Sequence, residues 1–224
     1  MKNTLSRASL LAIALATAAA GTAAAEGEFS GNVAMTTDYV WRGISQSNED
    51  FALQGGFDYT NGMFYAGTWA SNIDFDDGSD ANMEVDFYGG LASEFANGIT
   101  WDVGLIYYVY PDSEDSDFDF VEIKGALGYE FEGGLAVGGE VYYDPDNENM
   151  YVNATAGFAL TENFGVDASV GNYQFDAGGD YTNWSLGAST SAAGFGFDLR
   201  YWGTDIDGVN VADDRVVLTV SRSM

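Results

Sequence analysis

Histidine and cysteine are both absent from this 224-residue sequence, proline occurs twice, and only seven side chains are basic. Each shortage excludes something. Zinc and iron centres lose their usual ligands without Cys and His. Most hydrolytic sites lose their general base without His. Lys124 is the single lysine beyond Lys2 and has no evident serine partner. No glycine-rich stretch runs into Lys followed by Ser or Thr, so a phosphate loop is excluded too. A glycosidase-like pair of carboxylates finds many candidates among the acids, but nothing singles out two of them. With 35 acidic residues and a formal net charge of −28, the chain repels nucleic acid and attracts cations. The expectation is a protein that is not an enzyme, uses no cofactor, and binds no nucleic acid.

Long apolar runs are nearly absent as well. One lies at the start, where Lys2 and Arg7 precede an apolar stretch from Leu10 to Ala20, followed by Ala23-Ala24-Ala25. It is shorter than the roughly 20 residues a spanning helix needs. Together these features predict a secretory signal peptide over residues 1–25, cut near Ala25, with residues 26–224 forming one domain. Cleavage would remove two basic residues and no acidic one. The missing cysteines then say that an exported fold does without disulfide staples.

What the chain does have is a period of two. Phe29, Val33 and Met35 alternate with Ser30, Asn32 and Ala34. Trp101, Val103, Leu105 and Tyr107 alternate with Asp102 and Tyr108, and Phe195, Phe197, Leu199 and Tyr201 alternate with Asp198 and Arg200. Alternate side chains of a strand face opposite ways, so these are strands with one apolar and one polar face. Twelve such stretches can be traced, among them Tyr65-Gly67-Trp69, read as apolar-out. Short turns of hairpin chemistry, such as Asn61-Gly62, Asn97-Gly98 and Gly133-Gly134, alternate with longer polar connections over 42–50, 72–82, 111–118, 144–150, 174–181 and 204–214. Short periplasmic turns and longer external loops characterise outer-membrane barrels. Aromatics near the strand ends read as two interfacial girdles, with Phe29, Tyr59, Tyr65 and Trp101 at the periplasmic rim and Tyr39, Phe51, Tyr107 and Tyr201 at the outer one. The expected fold is all-β: a single antiparallel transmembrane β-barrel of about twelve strands in the cell outer membrane. Its partners would be outer-membrane lipid, lipopolysaccharide and the barrel-assembly machinery.

Several stretches resemble the Gcw_chp-type proteobacterial family, a set of exported proteins of unknown function. They are Thr37 to Ser47 (TDYVWRGISQS), Ala52 to Tyr59 (ALQGGFDY), Phe64 to Phe75 (FYAGTWASNIDF), Glu84 to Gly90 (EVDFYGG) and Asp102 to Pro111 (DVGLIYYVYP). The resemblance implies an outer-membrane-type barrel and supplies no activity. The chain ends Val220-Ser221-Arg222-Ser223-Met224, without the final aromatic that many such barrels present to their assembly machinery.

Strand parity places Asp38, Asp58, Glu84, Asp86, Glu94, Asp102, Glu122, Glu130, Glu140, Asp167 and Asp198 on the inward face, opposed there by Lys124 and Arg200. So many carboxylates require water, cations or protons, because an isolated buried charge is prohibitive. Two readings remain open. In one, a wet acidic lumen makes a narrow porin-like channel for cations or small solutes. In the other, the acids reach bulk water at the rims and the barrel conducts nothing, serving as a surface interaction or structural protein. Arg42, beside Trp41 at a strand-to-loop boundary, would either constrict the mouth or form a rim contact. Acidic clusters over Asp74 to Asp80, Asp112 to Asp117 and Asp205 to Asp214 suit divalent cations, or simply a solvated surface.

Overall fold

The computed structural model describes residues 27–75, 77–111, 113 and 118–224. The signal peptide expected over 1–25 lies outside the described residues, as do Asp76, Asp112, Glu114, Asp115 and Asp117 of the acidic loops. The strands, in chain order, are β1 (Glu28–Thr36), β2 (Val40–Trp41), β3 (Ile44–Ser45), β4 (Ala52–Asn61), β5 (Phe64–Asn72), β6 (Met83–Glu94), β7 (Ile99–Val109), β8 (Phe120–Glu130), β9 (Leu135–Asp144), β10 (Asn149–Ala159), β11 (Phe164–Gln174), β12 (Asp180–Ala192), β13 (Phe195–Thr204) and β14 (Arg215–Ser223). Twelve of them form a closed antiparallel barrel in which each pairs with its sequence neighbours. Strand β1 pairs with β4 on one side and β14 on the other. Hydrogen bonds exchanged between the backbones of Gly31 and Met224 extend that seam to the chain's last residue. Closure satisfies every strand edge, a requirement for backbone surrounded by hydrocarbon.

The outer wall is apolar and uncovered. Phe57 is 70% exposed and Leu186 61%, and similar side chains continue around all twelve strands. A belt of this extent far exceeds the apolar patch a soluble surface tolerates. It fits the apolar band of a membrane-spanning barrel. Among the described residues no helix is long and apolar enough to cross a membrane.

Several sequence expectations are corrected. In β5 the parity is reversed. Phe64 is exposed, whereas Tyr65 is buried and donates its hydroxyl to Asp102. Small Ala66, Thr68 and Ala70 lie on the opposite face, and a phenol with an inward acceptor outweighs the girdle preference. Tyr39 also turns inward, because the chain leaves β1 at Thr36 and its ring packs against Trp69. Glu94 and Glu130 keep the inward parity but are exposed, at strand ends next to turns. The 144–150 connection tightens to a four-residue turn between β9 and β10.

The lipid-facing reading can be tested at mid-strand. Leu105→Arg should lower the unfolding free energy of the protein in phospholipid vesicles by about 2–4 kcal/mol, as charge at the bilayer midplane does. Equilibrium denaturant titration would measure it, and an unchanged midpoint would contradict this placement of β7.

Candidate functional site

The connection between β1 and β4 does not extend outward. It folds into the barrel as the β2–β3 hairpin, with Val40 paired to Ser45 and Trp41 to Ile44. Its two-residue turn is Arg42-Gly43, with φ of 51° and 87°. Positive φ at both positions is the type I′ geometry that matches strand twist. Glycine is required at the second position for a further reason. A Cβ there would lie 2.6 Å from Thr204 Cγ2 and 2.8 Å from Asn183 Cβ, so the turn is wedged against β12 and β13.

Arg42, at the tip, is 7% exposed. Its Nη1 and Nη2 donate to the two oxygens of Glu122 on β8 at 2.8 and 2.7 Å. The Tyr108 hydroxyl donates to the same carboxylate at 3.0 Å. Aromatic faces surround the guanidinium, with Trp41 at 4.1 Å, Tyr151 at 4.3 Å, Tyr142 at 5.0 Å and Tyr173 at 5.1 Å from Cζ to ring centroid. Three of those rings belong to one inward row across the wall, in which Tyr142, Tyr151, Tyr173 and Tyr181 are direct partners on β9 to β12. Tyr151 lies over Gly171, where a Cβ would collide with its ring. Burial works against the Arg42 charge, but Glu122 more than restores it, so the guanidinium pKa lies above its ordinary value.

The base of the hairpin is fastened by Asp38. Its Oδ1 accepts from Ser45 at 2.6 Å and Ser47 at 3.1 Å, and its Oδ2 accepts from Arg215 at 2.7 Å. Arg215 also donates to the Asn210 carbonyl, which ties in the β13–β14 connection. The backbone of Asp74 donates to Gln46, which ties in the β5–β6 connection.

Deeper in the barrel, Lys124 binds Asp102 at 2.8 Å. Arg200 takes Asp167 through both terminal nitrogens at 2.6 and 3.0 Å, and Asp198 and the Ser185 hydroxyl at 3.1 Å. With Arg215 also 3.8 Å from Glu49, four basic residues thus pair with six carboxylates among the described residues. The sequence had opposed only two cations to the lumen acids. It missed Arg215, although the outward parity of Val216 and Leu218 implies it, and it left Arg42 between two roles.

The other predicted positions divide in a consistent way. Glu84 accepts from the Tyr39 hydroxyl at 2.8 Å and from Tyr110 at 3.3 Å. Asp58 accepts from Tyr88 at 2.5 Å, and Glu140 from Tyr142 at 3.2 Å. Asp86 has a buried side-chain oxygen with no hydrogen-bond partner among the described residues. None of these four forms an ion pair among the described residues. No described group of three or more Asp or Glu side chains is arranged to hold a metal ion.

Above the hairpin lies a vestibule of about 380 Å³ lined by Trp41, Tyr108, Tyr110, Phe120 and Tyr173, with carboxylates from Asp77, Glu84 and Asp144. Hydrogen bonds from the Ser79 hydroxyl and backbone hold the Asp77 carboxyl below its usual pKa, so it stays ionised.

Residues 19–224 match the family Gcw_chp, described as a bacterial protein of unknown function. The chain belongs to that family. No curated protein matches it. Among solved structures, the KdgM porin superposes with a TM-score of 0.63 at 6% identity, covering 87% of this chain and 99% of that one. The NanC porin gives 0.59 at 10% identity, covering 87% and 98%. The COG4313 outer-membrane channel from Pseudomonas putida F1 gives 0.54 at 11%, covering 88% and 96%. At such identities the likeness is one of fold: this Gcw_chp member is an outer-membrane-type barrel with the porin architecture.

The wedge at Gly43 makes a direct prediction. In Gly43→Val, added bulk and forbidden φ should drive the hairpin from the lumen. Amide hydrogen exchange at residues 40–45 should then accelerate by about tenfold or more, while the barrel strands keep their protection. Unchanged exchange would show that the turn is not wedged.

Proposed function

We propose that this protein is a narrow, cation-favouring channel of the outer membrane, gated by the β2–β3 hairpin. The observation that carries the reading is the unneutralised series Glu84, Asp86 and Asp58. Glu84 and Asp86 follow one another down β6, and Asp58 is joined to Tyr88, the next inward residue of that strand. Phenols satisfy Glu84 and Asp58 without supplying a counter-charge, and among the described residues no basic side chain pairs with Asp86, so this wall favours cations over anions. One neighbour in fold is recorded in complex with oligogalacturonate, a polyanion. An acid-lined lumen and a net charge of −28 disfavour such a solute here. Divalent cations held by exposed loop acids would bridge the outer rim to lipopolysaccharide phosphates.

A second reading, a barrel that conducts nothing, is favoured by one observation: Arg42, Lys124 and Arg200 are all buried and ion-paired inside the barrel. Bilayer recordings separate the two. Under the channel reading, wild-type protein gives discrete steps and a cation-selective reversal potential in a salt gradient. The Glu84→Gln/Asp86→Asn double variant should move that potential toward zero, and an unchanged value would remove these acids from the path.

Arg42→Ala should raise conductance several-fold. It leaves Glu122 buried and unpaired, a loss on the order of 3–5 kcal/mol that displaces the hairpin. Silence from both wild type and Arg42→Ala would establish the non-conducting barrel.

A further inference from the structure

The geometry points to a binding site for guanidinium-bearing solutes on the inner wall, formed by Glu122 and the tyrosines of β7 to β11, which Arg42 fills as a tethered occupant. This deepens the channel reading by naming the solute class, and its biological use rests on that reading.

The wall has the features that recognise a guanidinium, and none of them depends on the hairpin backbone. Glu122 presents both oxygens to a planar fork, the bidentate match that ammonium and sodium cannot reproduce. Tyr142, Tyr151 and Tyr173 turn ring faces toward the cation from 4.3 to 5.1 Å. Tyr108 braces the carboxylate from β7. All five side chains stand on barrel strands, so the site persists when the hairpin moves. On the inward face two residues beyond Tyr151, the side-chain oxygen of Asn153 is buried and has no hydrogen-bond partner among the described residues. It is a spare acceptor beside a ligand class rich in N–H donors.

The vestibule outside the cage has matching chemistry. Trp41, Tyr108 and Tyr173 line both spaces, so vestibule and cage are contiguous. Aromatic rings share the lining with the carboxylates of Asp77, Glu84 and Asp144, and no Lys or Arg is among the described lining residues. A surface that is aromatic and anionic without a base suits a cation carrying an apolar body. A volume of about 380 Å³ admits a small organic molecule. A solute that reaches Glu122 must displace Arg42, and displacing Arg42 releases the hairpin tip. The same event that seats the solute would therefore open its path.

The test uses the full chain in lipid nanodiscs, with methylguanidinium as the probe. Arg42→Ala vacates the cage. It should bind methylguanidinium saturably by calorimetry, at least about tenfold more tightly than Arg42→Ala/Glu122→Gln does, while sodium chloride at equal ionic strength produces no binding signal. Wild type should bind more weakly than Arg42→Ala, because its own arginine competes. In bilayers, methylguanidinium should block Arg42→Ala currents. Should Arg42→Ala not fold, Arg42→Lys serves instead: lysine engages Glu122 without the fork, and the probe should compete with it more effectively than with arginine. Currents from Arg42→Ala with neither binding nor block would overturn the site and leave the channel reading intact. Saturable, Glu122-dependent binding to a protein that never conducts would support the site and remove the channel.

Discussion

The inward arrangement depends on one desolvated ion pair, Arg42 with Glu122. Bringing two charges out of water is unfavourable by several kcal/mol per ion, and the pair holds only when its geometry recovers that loss. Here the fork-on-carboxylate contact, the Tyr108 hydroxyl and four ring faces act on the same few atoms. Take away the pair and the tip loses its strongest hold: what remains is the packing of the Gly43 turn on β12 and β13, the Gln46–Asp74 backbone bond and the Asp38 contacts at the base. Lysine could not substitute, because a point charge engages one oxygen and loses the planar stacking.

A second constraint follows from having so few basic residues. Many lumen acids must be satisfied, and five basic residues lie beyond the predicted cleavage site. Tyrosine supplies the difference. Hydroxyls of Tyr39, Tyr65, Tyr88, Tyr108, Tyr110 and Tyr142 all donate to carboxylates. A phenol meets the hydrogen-bonding need of an acid without adding positive charge. Salt bridges add positive charge to the lumen; phenols order its acids without adding any. The abundance of tyrosine and the scarcity of cations are therefore two sides of one electrostatic design.

Most of the barrel was legible in the sequence because its cause is local. Alternation in stretches such as Trp101 to Tyr107 reports directly which face meets lipid, and Asn-Gly turns mark where the chain reverses. Reading failed where local pattern and tertiary partner disagree. Tyr65 follows the girdle preference in sequence but answers to Asp102 across the sheet. Parity names thirteen inward candidates, and Arg42 stands out only as a scarce cation beside Trp41. How they pair was not legible, because Arg42 and Asp38 sit in a connection that looks like an external loop. Nothing in TDYVWRGISQS announces that its arginine reaches a glutamate 80 residues away. Two hints were present, the Arg-Gly dipeptide and a tryptophan beside a scarce cation, and both acquire meaning only inside a closed wall.

The Asp38–Arg215 contact joins residues 177 positions apart, beside the seam where the first strand meets the last. Contacts of such separation form late, since the intervening chain must first be organised. The fastening at the foot of the hairpin therefore cannot be completed until β14 has docked on β1. During biogenesis the unfinished sheet would hold its arginine-tipped arm untethered at the base, and sealing the cylinder and securing the arm become a single terminal step. A molecule stalled before that step would differ from the finished one in permeability as well as in shape.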